Sequence, residues 1–192
     1  MPADLEHHVA LEQLRQFDPQ AVEEALAFRD EVTLFIRRPS LVSVCEFLRD
    51  ASDLRFNYLS DVTALDRYPH DPRFEVVYHL YSTETNRSVR LKVRLPGDDP
   101  RVASVVPVWP GANAFEREVY DLFGVYFEGH PDLRRILMPE EWEGHPLRRD
   151  YALAEEAVEF KGHTPKVPSE IIPFFKPRSP AGSGGDPPPV PG

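Results

Sequence analysis

Phe74-Glu-Val-Val-Tyr-His-Leu-Tyr81, Ser82-Thr-Glu-Thr-Asn-Arg-Ser88 and Val89-Arg-Leu-Lys-Val-Arg-Leu95 together decide the fold. The last seven residues alternate apolar and basic without a break. Successive side chains of a strand point to opposite faces. The alternation therefore predicts a strand with Val89, Leu91, Val93 and Leu95 on a core, and Arg90, Lys92 and Arg94 turned away. Residues 74–81 are β-branched and aromatic, which predicts a second strand, and the polar run 82–88 reads as the hairpin loop between them. The basic face reads as a solvated sheet face; docking on an acidic partner is the alternative.

Outward from this hairpin, Phe56–Leu65 reads as a third strand and Val32-Thr-Leu-Phe-Ile-Arg37 as a fourth. Pro96-Gly-Asp-Asp-Pro100 ends the hairpin, and Ser104-Val-Val-Pro-Val-Trp109 reads as an extended piece that Pro107 confines to an edge. Helices are expected where apolar residues recur every three or four positions. Leu41, Val44, Cys45 and Leu48 follow that spacing after Pro39-Ser40. Asp18 as N-cap and Pro19 at the first helical position predict another helix, carrying Val22, Ala25 and Leu26. Residues 4–16 read as a weak amphipathic helix. The expectation is an α+β domain over residues 1–151, with helices packed on a mainly antiparallel or mixed sheet.

Composition narrows the function classes. The chain has 192 residues, 41% hydrophobic and 28% charged, with a formal net charge of −10. An acidic balance argues against nucleic acid, whose phosphates need a basic footprint, and against adsorption to anionic lipid. The single cysteine, Cys45, allows no intrachain disulfide and is too little for an iron–sulfur cluster. On its apolar face it reads as a core thiol rather than a reactive one. No signal-peptide pattern is seen at Met-Pro-Ala-Asp-Leu-Glu, and no apolar run approaches the ~20 residues that span a bilayer. Membrane contact is expected only through partner subunits. No glycine-rich phosphate loop and no nucleophile motif are found.

The chemistry-bearing residues crowd into Glu116-Arg-Glu-Val-Tyr-Asp-Leu-Phe-Gly-Val-Tyr-Phe-Glu-Gly-His-Pro-Asp-Leu-Arg-Arg-Ile-Leu137, echoed by Gly144-His-Pro-Leu-Arg-Arg-Asp-Tyr151. Ala112–Phe123 has helical spacing, with Phe115, Val119, Leu122 and Phe123 as its apolar stripe, and Gly124 sits where a left-handed C-cap belongs. Arg117 and Asp121, four apart, are placed to pair across one turn. Three readings stand for the charges: a solvated helix face, a metal or acid–base site built from Glu116, Glu118, Asp121, His130 and His145, and a docking surface. The site reading lacks two ligands on one helical face. His130 and His145 read as loop residues held by hydrogen bonds. Arg134, Arg135, Arg148 and Arg149 are fork donors suited to carboxylates. The docking reading is favoured.

Residues 152–192 hold nine of the 21 prolines. They read as an extended docking arm (152–175) and a Pro/Gly-rich disordered tail (176–192). Within the arm, Ile171-Ile-Pro-Phe-Phe175 is an apolar patch, and Ile171, Phe174 and Phe175 are expected at a subunit interface.

The 116–151 segment resembles the signature of the C subunit of respiratory complex I, the proton-translocating NADH:quinone oxidoreductase. The matching residues are Glu116-Arg-Glu118, Tyr120-Asp121, Phe123-Gly-Val125, Phe127, Gly129–Leu137, Gly144–Arg148 and Asp150-Tyr151. Arg149 stands where that family usually has lysine, and Ala152 where proline is common. The resemblance implies a structural subunit with no cofactor of its own, a part of an enzyme rather than an enzyme alone. FMN and iron–sulfur clusters would lie in partner subunits and carry electrons from NADH to a quinone. It implies packing against the complex I subunits D, B and I, peripherally on the cytoplasmic face of a bacterial cell membrane. An equivalent subunit of a membrane-bound energy-converting hydrogenase is a related alternative. A free-standing metal-dependent or acid–base hydrolase is the alternative from another class.

Overall fold

The computed structural model describes residues 8–29 and 31–152. The expected arm, the tail and their anchors Ile171, Phe174 and Phe175 lie outside them, as do residues 4–7 of the first expected helix. Among the described residues seven strands and three α-helices form in the order α1 (Val9–Phe17), β1 (Val22–Phe28), β2 (Glu31–Ile36), α2 (Leu41–Asp50), β3 (Tyr58–Asp66), β4 (Phe74–Ser82), β5 (Arg87–Leu95), β6 (Arg101–Ala103), α3 (Ala112–Phe123) and β7 (Tyr126–Glu128).

The main sheet has the order β1-β2-β5-β4-β3. All neighbours are antiparallel except β2 and β5, which run parallel. The fold is thus α+β on a mixed sheet. The hairpin alternation sets its register: Val76 faces Val93 and Tyr78 faces Leu91 across β4 and β5. These side chains, with Leu34, Ile36, Val62 and Leu95, are fully or nearly fully enclosed. Leu11 and Leu14 of α1, Leu41, Val44, Cys45 and Leu48 of α2, and Val119 of α3 close the same core. Each large apolar side chain buried this way contributes roughly 1.5–3 kcal/mol in area terms.

The outer face is not left to solvent alone. Glu75 accepts from Lys92 at 2.9 Å and from Arg67 at 2.9 Å. Arg94 pairs with Glu24 at 2.7 Å and Arg90 with Glu31. Arg94 also lies 3.8 Å from the centre of the Phe35 ring, so the basic row doubles as a lid over an aromatic side chain. The basic residues read as a free face from alternation are matched by acids of the chain itself.

Two local expectations are corrected. Val22–Phe28 is a strand, not a helix. Asp18 does not cap a helix: one carboxylate oxygen accepts the Gln20 amide in a turn, and the other accepts the Ser40 hydroxyl. Three apolar residues within five positions fit either period, and antiparallel pairing with β2 from Phe28↔Glu31 to Val22↔Ile36 decides between them. The expected extended piece at Ser104–Trp109 is a turn in which the Val105 carbonyl accepts the Val108 and Trp109 amides. The strand is the preceding Arg101–Ala103, paired in parallel with β7 in a separate two-stranded sheet. Among the described residues no helix is long and apolar enough to cross a membrane.

Candidate functional site

The last turn of a helix leaves carbonyls without partners and gathers negative partial charge. In α3 that end is where the rest of the dense segment collects. Gly124 caps the helix at φ +73°, its amide returning to the Tyr120 carbonyl at 2.9 Å. A side chain there would collide with the Arg148 guanidinium and stand 2.5 Å from the His145 ring. Glycine is required by both backbone and space.

Asp121, 0% exposed, is the node. One carboxylate oxygen accepts Arg135 at 2.6 Å; the other accepts the amides of Ile136, Leu137 and Met138 at 3.1, 2.8 and 2.8 Å. Burial alone would raise this carboxyl, but these amides and the Arg135 guanidinium together hold it below the ordinary carboxylate value. Arg135 also donates to the Trp142 and Gly144 carbonyls at 2.8 and 3.0 Å, pinning the second Gly-His-Pro turn. Arg148 donates to the Phe123 carbonyl at 2.6 Å, and the Leu147 amide to the Leu122 carbonyl at 3.0 Å. His145 donates through Nδ1 to the Asp121 carbonyl at 2.8 Å, and burial lowers its proton affinity. The cations therefore sit where the helix dipole favours them.

A second tether joins the loop to the sheet. Asp66, on β3, accepts two bonds from Arg73 at 2.8 and 3.0 Å and the Arg149 amide at 2.9 Å. Arg73 continues to Asp150. Burial raises the Asp66 carboxyl, yet these donors bring it down to about 2. Sequence reasoning singles out Arg149 but not this tether, because Asp66 lies far away along the chain and belongs to no motif.

The expected site residues separate into two groups. Glu116 and Asp121 are enclosed by the chain's own residues. Glu116 accepts the Ser104 hydroxyl and the Val105 amide at 2.6 and 2.7 Å. His130 accepts the Asp132 amide at Nδ1 and donates through Nε2 to the Asn113 carbonyl, 3.2 Å away. The expected pairing of Arg117 with Asp121 does not form. Arg117 turns to the Arg134 and Arg135 carbonyls, both at 3.1 Å, and Asp121 takes Arg135 instead. Glu118 and Arg149 are exposed, and Arg134 pairs with Asp132 at the surface. Beside them Ile136, Leu137 and Leu147 are 41%, 60% and 50% exposed. Their backbones are held by the knot while their side chains face outward. The apolar trio lies within the signature, yet sequence reasoning does not single it out, because each residue is unremarkable until its neighbours are placed.

For ligand chemistry the arrangement offers little. Among the described residues no group of three or more His, Cys, Asp or Glu is gathered for a metal. Cys45 is fully buried, and burial pushes its thiol up, away from reactivity. Of the carboxylates and histidines that a hydrolase would need, Glu116, Asp121, His130 and His145 are engaged by the chain's own amides, carbonyls and the Ser104 hydroxyl, and Glu118 is exposed.

Known proteins share this architecture and this segment. A family model described as respiratory-chain NADH dehydrogenase, 30 Kd subunit, matches residues 34–157. The NADH-quinone oxidoreductase C subunit of Roseiflexus sp. (strain RS-1) is 46% identical over 156 residues, 81% of this chain and 90% of that protein. Its counterpart in Geotalea uraniireducens (strain Rf4) is 44% identical over 148 residues, 77% of this chain and 89% of that protein. Among solved structures, a trypsin-resistant fragment of Nqo5 superposes with a TM-score of 0.54 at 33% identity, covering 65% of this chain and 100% of that one. One chain of an archaeal respiratory membrane complex, the membrane-bound sulfane sulfur reductase, superposes with a TM-score of 0.64 at 26% identity, covering 74% and 84%. With the family model matching residues 34–157 and relatives 44–46% identical over about nine-tenths of their own length, this chain belongs to the respiratory-chain NADH dehydrogenase 30 Kd subunit family.

Proposed function

We propose that this protein holds no redox centre and acts as a rigid bracket in the hydrophilic arm of complex I, the NADH:quinone oxidoreductase. There it would hold the D subunit, with its quinone site, in register with subunits B and I. FMN and iron–sulfur clusters in the partner subunits carry electrons from NADH to the quinone, coupled to proton translocation. The carrying observation is the outward trio Ile136, Leu137 and Leu147, mounted on a backbone that Asp121 and Arg135 lock. Three exposed apolar side chains on a fixed backbone, with the exposed Arg134, Arg149 and Glu118 in the same segment, supply the residue types of which interface cores and rims are made. Glu116 and Asp121 are left out of this surface because they are internal. Arg135, His145 and Arg148 tie the loop to the end of α3, and His130 ties its turn to the Asn113 carbonyl.

The residue 152–175 arm, through Ile171, Phe174 and Phe175, is proposed to extend the same contact along a neighbour. Attachment is peripheral, at the cytoplasmic face, through partners. Tagged full-length chain pulled from solubilised membranes should bring subunits D, B and I with it; their absence would sink the reading. The likeness to one chain of the sulfane sulfur reductase complex favours one second reading, an equivalent bracket in a membrane-bound hydrogenase-type complex. Recovery of a nickel–iron large subunit in place of an NADH-binding one would select it.

A further inference from the structure

Glu116 is a carboxyl group in the core with no cation paired to it among the described residues. It is 0% exposed. Its two hydrogen bonds come from neutral donors, the Val105 amide at 2.7 Å and the Ser104 hydroxyl at 2.6 Å. That hydroxyl also accepts the Val106 amide at 3.2 Å and has a second lone pair, so it can donate to an ionised Glu116 or accept from a protonated one. The contrast with Asp121 is instructive: Asp121 has a guanidinium at 2.6 Å, whereas no Lys, Arg or His among the described residues pairs with Glu116.

The titratable groups facing Glu116 are Cys45 from α2 and Tyr78 from β4, both fully buried and close enough for its charge to act on them. Glu46 adds a further negative influence on Cys45. None of these supplies positive charge. Tyr78 brings a buried hydroxyl that has no hydrogen-bond partner among the described residues. A charge in such a place costs several kcal/mol unless paired, and a carboxyl group avoids that cost by keeping its proton. Burial outweighs the two hydrogen bonds and lifts the carboxyl to about 7.

We propose that Glu116 is a buried proton-binding site through which pH acts on the stability of this domain. The proton leaves to solvent on ionisation, and the charge stays behind with no cation paired to it among the described residues. Every group involved is internal to the chain, so the inference does not rest on the assembly reading.

Infrared titration of the full chain tests it between about pH 5 and 9, where ordinary carboxyl groups with pKa values near 4 are ionised over most of the range. One protonated-carboxyl stretch should persist above pH 6 or so and titrate near 7. It should vanish in Glu116→Gln and remain in Glu118→Gln, an exposed control. In parallel, the Glu116 contribution to the folding constant, read from urea unfolding as the ratio of the wild-type chain to Glu116→Gln, should fall about tenfold per pH unit between about 5 and 7, as for one proton held only by the folded state. Absence of the carboxyl band in the wild-type chain, or a ratio that does not change with pH, overturns the proposal. If Glu116→Gln does not fold, the wild-type infrared titration decides alone.

Discussion

Replacing Asp121 by alanine should be among the most damaging single changes in the folded domain. The side chain is fully enclosed and serves four donors, the Arg135 guanidinium and three consecutive amides. Arg135 is itself only 15% exposed, so its charge would be left facing carbonyls in a part-buried site. Breaking such a pair by removing one partner costs about 3–5 kcal/mol. Each amide left without an acceptor adds ~1–3 kcal/mol if it stays dry. Residues 136–138 lie near the surface, and water will recover most of that second part. A total of roughly 4 kcal/mol follows, and at about 2–4 °C per kcal/mol for a domain of this size the melting temperature should fall by ~8–16 °C. Asp121→Asn keeps one oxygen for the amides but loses the negative charge and the acceptor that face Arg135, so its loss should be smaller only by the amide share, roughly 1 kcal/mol. Circular dichroism melts of the full chain, with both variants side by side, provide the measurement. A loss under ~1 kcal/mol in Asp121→Ala, or equal losses in both variants, would show that Asp121 does not organise the loop.

Gly124→Ala forces a left-handed residue against His145 and Arg148, and should cost about 2–4 kcal/mol from backbone strain and overpacking; chemical denaturation gives the value. Acid should weaken the domain through Asp66, whose folded carboxyl sits at about 2. Its contribution is complete above the ordinary unfolded value near 4 and is lost as pH falls from about 4 to 2, and Asp66→Asn should remove that part of the pH profile. The sign is opposite to that of Glu116, whose contribution is lost as pH rises. Charge reversal at Arg149, with Leu137→Asp and Leu147→Asp, should leave the melting temperature within a few degrees but lower the amount of assembled complex; normal assembly would refute the surface. Truncation after Tyr151 should leave the domain folded and weaken assembly, measured by native gel against the full chain.

Much of the fold was legible because period-2 alternation over seven residues, as in Val89–Leu95, admits one face for the core. The helix at Leu41–Asp50 was legible for the matching reason, four apolar positions at period 3.6. Val22–Phe28 was misread because three apolar residues in five positions satisfy both periods, and a partner strand nearby decides. At α3, spacing located the helix and its glycine cap but misjudged its buried side. Ala112, Glu116, Val119 and Asp121 are the enclosed residues, while Phe115, Leu122 and Phe123 are half-buried. A carboxylate can lie in a core only where specific donors meet it, and no pattern of hydrophobicity records donors that arrive from the Ser104 turn or from residues 135–138.

By itself, then, the sequence determined the α+β class, most element positions, the signature segment and the family. Those depend on short-range periodicity and on residues adjacent in the chain. Only the tertiary structure decided which charges are internal and which face outward. It seated Asp121 under Arg135, tied Arg149 back to Asp66, isolated Glu116 in the core and turned Ile136, Leu137 and Leu147 to the surface. The physical reason is that the state of a charged group depends on desolvation and on partners brought by chain closure. A carboxylate reads the same in sequence whether it meets water, a guanidinium or nothing at all.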